Sequence, residues 1–218
     1  IPGFVATLYL PQAVYRTLLA DTKYWRGIGW RNVGGIEPGS GSMPHMQVSV
    51  LSDALQRTMH IHRDIIVDFA FVRVDTPIGR GADNRVYSGV MRGNKNIAIR
   101  IRNDSDITED ILRTFSEEVI ILKRLRHPHI VRFIGITLRP PQLAIINELM
   151  CGGTLRDARY EKNAATTFPA EQRIANILAA VRAVKFIHEK NVMHRDLKAE
   201  NIFRDGVWHC KVGDFGEA

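Results

Sequence analysis

Hydrophobic and polar positions fall into a regular order from Phe69 onward. Phe69 to Val74 has the β-branched and aromatic content of a strand and meets a turn signal at Asp75-Thr76-Pro77. Val86-Tyr87 is β-rich, and Asn96 to Ile101 is alternating or fully apolar, a second strand pattern. The period then lengthens. Ile111, Phe115, Val119, Leu122 and Leu125 mark one helical face, with Thr108 placed as a cap and Glu109 and Asp110 in the first turn, where the helix dipole favours acids. Pro128 ends that run. Two further strands are predicted over 130–136 and 143–148, then a short helix from Thr154. A long amphipathic helix follows, marked by Ile174, Ile177, Leu178, Val181, Val184 and Ile187, and stops before Asn191. Before Phe69 the pattern is weaker. Trp25 to Ser42 is rich in Gly and Ser and reads as a loop or linker, and Leu51 to Ile61 has only weak helical spacing. Residues 1–70 are accordingly left as an unassigned N-terminal region or linker.

Composition narrows the function classes. The 218 residues are 45% hydrophobic and 24% charged, ordinary for a globular chain with a sizeable core. A formal net charge of +7 suits an acidic partner such as a nucleotide or a phosphoprotein. No Cys/His zinc spacing and no compact Lys/Arg run argues for nucleic acid. Two cysteines, Cys151 and Cys210, do not make a disulfide framework, so a reducing interior is expected, intracellular and by default cytoplasmic. The apolar stretch from Gly3 to Leu10 is too short to span a bilayer and lacks the basic flank of a signal peptide, so no membrane span is expected. The chain begins with Ile1 rather than Met, which reads as a fragment or a mis-predicted gene product.

The chemistry is concentrated near the end. His194-Arg195-Asp196-Leu197-Lys198-Ala199-Glu200-Asn201 fits the loop pattern H-R-D-L-x-x-x-N. Phosphoryl transfer from ATP asks mainly for positioning and charge stabilisation around the γ-phosphate. Asp196 is placed to accept a substrate hydroxyl proton, and Asn201, from the same loop, to reach Mg²⁺. Asp214 opens Asp214-Phe215-Gly216 and supplies a carboxylate to hold Mg²⁺ between phosphate oxygens. His62-Arg63-Asp64 is a second H-R-D, but Phe69 stands where Asn is needed, and it reads as a chance match with a solvated charge pair. Ile78-Gly79-Arg80-Gly81-Ala82-Asp83-Asn84-Arg85-Val86 gives G-x-G-x-x-N-x-V. Such glycines let backbone N–H groups approach phosphates, and Asn84 in the third slot tolerates positive φ better than most residues.

On these motifs, with Arg126-His127-Pro128-His129-Ile130-Val131 after a helix and the hinge-like Asn147-Glu148-Leu149-Met150, residues from about Thr76 to Ala218 resemble a eukaryotic-type protein kinase. The resemblance is strongest to the tyrosine-kinase-like serine/threonine group. It implies an α+β, two-lobed protein kinase-like fold. Residues 71–149 would form the small lobe, an antiparallel β-sheet with one helix, and 150–218 an incomplete, mostly helical large lobe. It implies ATP and Mg²⁺ as cofactors, a protein substrate, and transfer of the γ-phosphate to Ser or Thr. By resemblance, Ile78, Gly79 and Gly81 cover the nucleotide, and Val86 and Ala98 sandwich adenine. The backbone of Glu148 and Met150 would bond the adenine edge, with Asn147 as gatekeeper beside it. Glu118 is the ion-pairing glutamate of the helix, with Glu117 its neighbouring rival, and Lys198 contacts the γ-phosphate. Leu122, Phe133, His194 and Phe215 would stack as a regulatory spine.

Three departures qualify this. Ile97-Ala98-Ile99-Arg100 stands where the family has V-A-I-K, so Arg100 fills the lysine slot. Guanidinium is planar and forked where ammonium is a compact point charge, so Arg100 is expected to distort both the phosphate contact and the Glu118 pair. Strand alternation puts Arg102, but not Lys95, on the face of Arg100. Phe203 is bulkier than expected beneath adenine. Finally, Ala218 lies just past Gly216, before any activation segment, and the apolar stripe from Ile174 to Ile187 is expected to lack partners and leave the fragment poorly stable. Besides an active kinase, a pseudokinase scaffold and a non-functional gene fragment remain open readings. The substrate and the oligomeric state have no signal in the sequence.

Overall fold

The computed structural model describes residues 45–81, 84–102, 107–139, 142–160 and 168–218. The apolar stretch at Gly3 to Leu10, the linker at Trp25 to Ser42, and Ala82 and Asp83 of the glycine-rich segment lie outside the described residues. Residues from His45 to Ala218 make one compact unit.

Helix α1 (His45–Ile61) opens the described chain, and a 3₁₀ turn at Phe69–Phe71 leads into β1 (Val72–Arg80). Strands β2 (Asn84–Met91) and β3 (Lys95–Arg102) follow, then α2 (Glu109–Arg124), β4 (Phe133–Arg139) and β5 (Gln142–Glu148). The five strands form one antiparallel sheet in the order β1-β2-β3-β5-β4. After the sheet come α3 (Leu155–Tyr160), α4 (Ala170–Glu189), a 3₁₀ turn at Ala199–Asn201, and the short strands β6 (Ile202–Arg204) and β7 (Cys210–Val212), which pair antiparallel. This is the expected α+β architecture: a sheet lobe carrying α2, followed by helices and one small ribbon.

Local chemistry accounts for most of these boundaries. In β3, alternation buries Ile97, Ile99 and Ile101 and leaves Ala98, Arg100 and Arg102 half-buried on the other face. Each fully buried isoleucine stabilises the lobe by about 1.5–3 kcal/mol. Helix α2 begins at Thr108, whose Oγ1 accepts from the Ile111 N–H at 3.3 Å. It carries Glu109 and Asp110 in its first turn and Lys123 and Arg124 in its last, both matched to the dipole. Its buried stripe is Leu112, Phe115, Val119 and Leu122; Ile111, expected on that face, lies at its half-buried edge. Helix α4 ends as the sequence predicts. Asn191 adopts φ +57°, its N–H donates to the His188 carbonyl at 2.9 Å, and the Val192 N–H donates to the Ile187 carbonyl at 3.0 Å. This double closure is a left-handed helix cap that turns the chain into the His194 loop.

The turn predicted at Asp75-Thr76-Pro77 is instead a bulge within β1. The β1–β2 register shifts between Val74 and Pro77 and again between Pro77 and Gly79. Pro77 has no N–H to give the ladder, and Ser88 of β2 compensates. Its Oγ accepts from the Thr76 N–H at 3.3 Å and donates to the Thr76 carbonyl at 3.2 Å. The weak helical spacing at Leu51 to Ile61 belongs to α1, which packs on α2. On α4, Ile174, Ile177, Leu178 and Val181 are exposed, so the apolar stripe is uncovered among the described residues.

Candidate active site

The β-ladder registers line up the residues expected around the nucleotide. Val86 of β2 faces Arg100 of β3, and Ala98 faces Ser88 on one side and Asn147 of β5 on the other. Opposed residues share a sheet face, so Val86, Ala98, Arg100 and Asn147 lie on one surface. Gly79 pairs with Val86 at the β1–β2 end, Ile78 is exposed, and the Gly81 N–H closes onto the Asn84 carbonyl at 2.8 Å. Neither Gly79 nor Gly81 has a positive φ. A Cβ added at either would meet only ordinary contacts, the nearest at 3.5 Å and 3.8 Å. Among the described residues, neither backbone conformation nor crowding asks for glycine at these two positions.

Arg100 is 16% exposed and pairs with Glu118 of α2, itself 13% exposed, through Nη2 and Oε1. Its other fork nitrogen, Nη1, lies 3.5 Å from Asp214 Oδ1. The pair with Glu118 is made, and the forked guanidinium reaches a second carboxylate as well. Glu117 is exposed, which separates it from its neighbour.

Asp196, Lys198 and Asn201 converge in one loop. Lys198 Nζ donates to Asp196 Oδ2 at 2.6 Å. Asn201 Nδ2 donates to the Asp196 carbonyl at 2.9 Å and to its Oδ2 at 3.0 Å. The hydrogen bond from Lys198, and then that from Asn201, holds the Asp196 carboxyl below the usual carboxylate range against the opposing effect of burial. Reciprocally, Asp196 raises Lys198. Arg195 and Asp214 both sit at positive φ, +61° and +62°. Non-glycine residues in that region are uncommon; Asn94, Asn191 and Trp208 share it.

The β6–β7 ribbon joins this loop to Asp214. Ile202 pairs with Val212, Phe203 with Lys211 and Arg204 with Cys210, and the Gly213 N–H donates to the Asn201 carbonyl at 2.9 Å. His194, 4% exposed, bonds through Nε2 to the Gly213 carbonyl at 3.0 Å, and its ring lies 4.8 Å from that of Phe215. Of the predicted spine, this His194–Phe215 contact is shown; Leu122 and Phe215 are buried and Phe133 is half-buried. Phe203 finds its room at Gly213, where an added Cβ would lie 3.1 Å from the ring. That accommodates the bulk flagged in the sequence.

The hinge residues Glu148 and Met150 are half-buried. The Glu148 N–H donates to the Arg132 carbonyl at 2.9 Å, and its side chain accepts from Arg132 N at 2.7 Å and from Lys211 Nζ at 2.6 Å. This tie from Glu148 to β7 was missed in the sequence. Its signal, a lysine three residues before Asp214, is legible only once β7 is known to lie beside the hinge.

Asn201 and Asp214 offer an amide and one carboxylate. That oxygen set fits Mg²⁺, which keeps waters and takes one or two carboxylates together with substrate phosphates. No cluster of three or more His, Cys, Asp or Glu able to hold a metal occurs among the described residues.

Comparison with known proteins points the same way. The chain is 33% identical over 156 residues to a protein of Acanthamoeba polyphaga mimivirus named as a serine/threonine-protein kinase/receptor, covering 72% of this chain and 9% of that one. It is 32% identical over 153 residues to a Dictyostelium discoideum protein named as a serine/threonine-protein kinase, covering 70% of this chain and 16% of that one. An Arabidopsis thaliana protein named likewise is 37% identical over 147 residues, 66% of this chain and 14% of its own length. The chain thus spans about a tenth to a sixth of these relatives. The family model described as the protein kinase domain matches residues 72–218, the stretch that carries the sheet, α2, the His194–Asn201 loop and the Asp214–Gly216 triplet, and the chain belongs to that family.

Proposed function

We propose that the chain is the nucleotide-binding and catalytic-loop part of an ATP- and Mg²⁺-dependent protein kinase that phosphorylates Ser or Thr of a protein substrate. In this reading residues 71–149 are the small lobe and 150–218 part of the large one. The observation that carries it is the convergence of Asp196, Lys198 and Asn201 with Asp214 across the β6–β7 ribbon.

Mg-ATP brings the transferable phosphoryl group and its charge-neutralising metal. The chain's residues do the positioning. Asp196, kept ionised by Lys198 and Asn201, accepts the hydrogen bond of the substrate hydroxyl and orients that oxygen for in-line attack. Its low basicity is no handicap, because the transition state is loose and little proton transfer precedes bond breaking. Lys198, held beside Asp196, places a cation at the γ-phosphate end, and its position two residues after Asp196 favours Ser/Thr over Tyr as acceptor. Asn201 and Asp214 hold Mg²⁺, and Val86 and Ala98 flank adenine. The Glu148 N–H is already committed to Arg132, which leaves the Glu148 carbonyl and the Met150 backbone for the adenine edge. Both cysteines are free thiols, which suits an intracellular, cytoplasmic setting. No helix among the described residues is long and apolar enough to cross a membrane.

The rival reading, a pseudokinase scaffold, draws on one observation: Arg100 reaches Asp214 as well as Glu118, and so competes for a proposed metal ligand. The deciding experiment uses the full-length protein. Mg²⁺-dependent thermal stabilisation by ATP, about 2.7 kcal/mol at a hundredfold excess over Kd, is expected together with phosphate transfer to Ser or Thr of a generic basic protein. Stabilisation without transfer supports a nucleotide-binding scaffold; neither result at millimolar Mg-ATP removes the kinase reading and leaves, of the rival, only an interaction scaffold.

A further inference from the structure

Residues 57–67, which precede the family match, grip α2 along its whole length. Arg57 Nη2 donates to Glu109 Oε1 at 2.7 Å, His62 Nε2 bonds Ser116 Oγ at 2.7 Å, and Lys123 Nζ donates to Asp64 Oδ1 at 2.9 Å. Glu109, Ser116 and Lys123 are spaced by seven residues each. Seven residues bring a helix almost back to the same azimuth, so the three anchors form one stripe about 21 Å long. The middle anchor is the most enclosed: His62 is 0% exposed. The same segment is then fastened to the sheet. The Ile136 N–H donates to the Ile65 carbonyl at 3.0 Å, and the Val67 N–H donates to the Ile136 carbonyl at 2.8 Å. Gly135 permits this approach, since a Cβ there would lie 2.5 Å from the Ile65 oxygen.

Glu118 is two residues past Ser116, about 200° around the helix. Rotation of α2 about its axis, or a swing away from the sheet, carries Glu118 off Arg100. A stripe of anchors on the opposite side, itself pinned to β4, resists both movements. We propose that residues 57–67 form a brace that sets the rotation of α2, and that His62 is a positioning residue for the Arg100–Glu118 pair. In its catalytic consequence this rests on the phosphotransferase reading above.

The test compares full-length wild type with His62→Ala, Ser116→Ala and His62→Gln, whose amide can still bond the serine hydroxyl. Amide hydrogen exchange over residues 109–124 is expected to quicken about tenfold in the two alanine variants and to return towards wild type in His62→Gln. In transfer assays kcat should fall about tenfold with KM for ATP little changed. His62→Ala should add no further loss in a Glu118→Gln background, because both changes disable the same pair. A merely structural role gives multiplicative losses there, and that result overturns the positioning claim, as does unchanged exchange of α2 in both alanine variants. If His62→Ala does not fold, Ser116→Ala, which deletes one hydroxyl, decides the matter. If wild type transfers no phosphate, the proposed function fails while the hydrogen-exchange arm still decides the brace.

Discussion

His62-Arg63-Asp64 and His194-Arg195-Asp196 are the same three residues in two settings, and the structure gives them parallel local arrangements with different ends. Both histidines are buried, at 0% and 4% exposure. Each bonds through Nε2, His62 to Ser116 Oγ and His194 to the Gly213 carbonyl, and neither Nδ1 has a hydrogen-bond partner among the described residues. Each aspartate is held below the usual carboxylate range chiefly by a lysine, Lys123 for Asp64 and Lys198 for Asp196. The difference lies in what each triplet ties together. The first fastens a preceding helix to α2. The second carries Asn201 five residues on, a strained Arg195 at φ +61°, and a ribbon that delivers Asp214. A triplet does not confer chemistry; the groups that its neighbours bring within hydrogen-bond reach do. The reading of His62 to Asp64 as a solvated charge pair is therefore too weak for His62, which is buried on Ser116, while the exposed Asp64 pairs with Lys123.

The comparison breaks most sharply in turnover. Asp196→Asn is expected to lower phosphate transfer by on the order of 10²- to 10⁴-fold while leaving Mg-ATP affinity nearly unchanged. Asp64→Asn should leave transfer within a small factor of wild type. Equal losses from the two would mean that the first triplet also touches the reaction.

Arg100→Lys is expected to sharpen the second setting. An ammonium keeps the Glu118 pair but cannot fork to Asp214, so the metal ligand is freed. Recovering about 1.4 kcal/mol of transition-state stabilisation raises transfer roughly tenfold, read at equal ATP occupancy. A slower Arg100→Lys enzyme would show that the site is built around arginine.

A smaller effect concerns the first triplet and pH. Burial, and then the charge of Lys123, push the His62 pKa below 6.5; Asp64 opposes this. The folded state thus binds fewer protons at His62 than the unfolded state does. Its contribution to stability is present above pH 6.5 and is lost as the pH falls from there through the lower folded-state value. A single proton gives a slope of at most about 1.4 kcal/mol per pH unit. Denaturant melts of wild type and His62→Gln between pH 7 and pH 5 should diverge in that sense; parallel curves would remove His62 from the acid response.

The least change is expected from Asp64→Asn in stability. Its exposed pair with Lys123 should give a slight drop in melting temperature at low salt that fades as salt is added. A large, salt-independent drop would make Asp64, rather than His62, the main anchor of the brace.

Much of this was readable in the chain because it depends on near neighbours. The cap at Thr108, the alternation that separates Ala98 and Arg100 from Ile97 and Ile99, the stop at Asn191, and the order of the catalytic loop and Asp214 all follow from spacings of a few residues. Turn chemistry misled at Asp75-Thr76-Pro77, because the groups that satisfy the bulge belong to Ser88 on the next strand. The role of His62 was hidden for the same reason at longer range: its partner, Ser116, is 54 positions away. Arg100 shows both sides of the division. The sequence, through its resemblance to V-A-I-K and its spacing from Gly79, put a guanidinium at position 100 where the family has lysine. Only the tertiary structure decided that it reaches Asp214 as well as the Glu118 that the resemblance implied, because that second carboxylate arrives after β7. Local dihedral preferences and side-chain periodicity are written residue by residue, whereas the meeting of distant side chains is set by how whole elements pack.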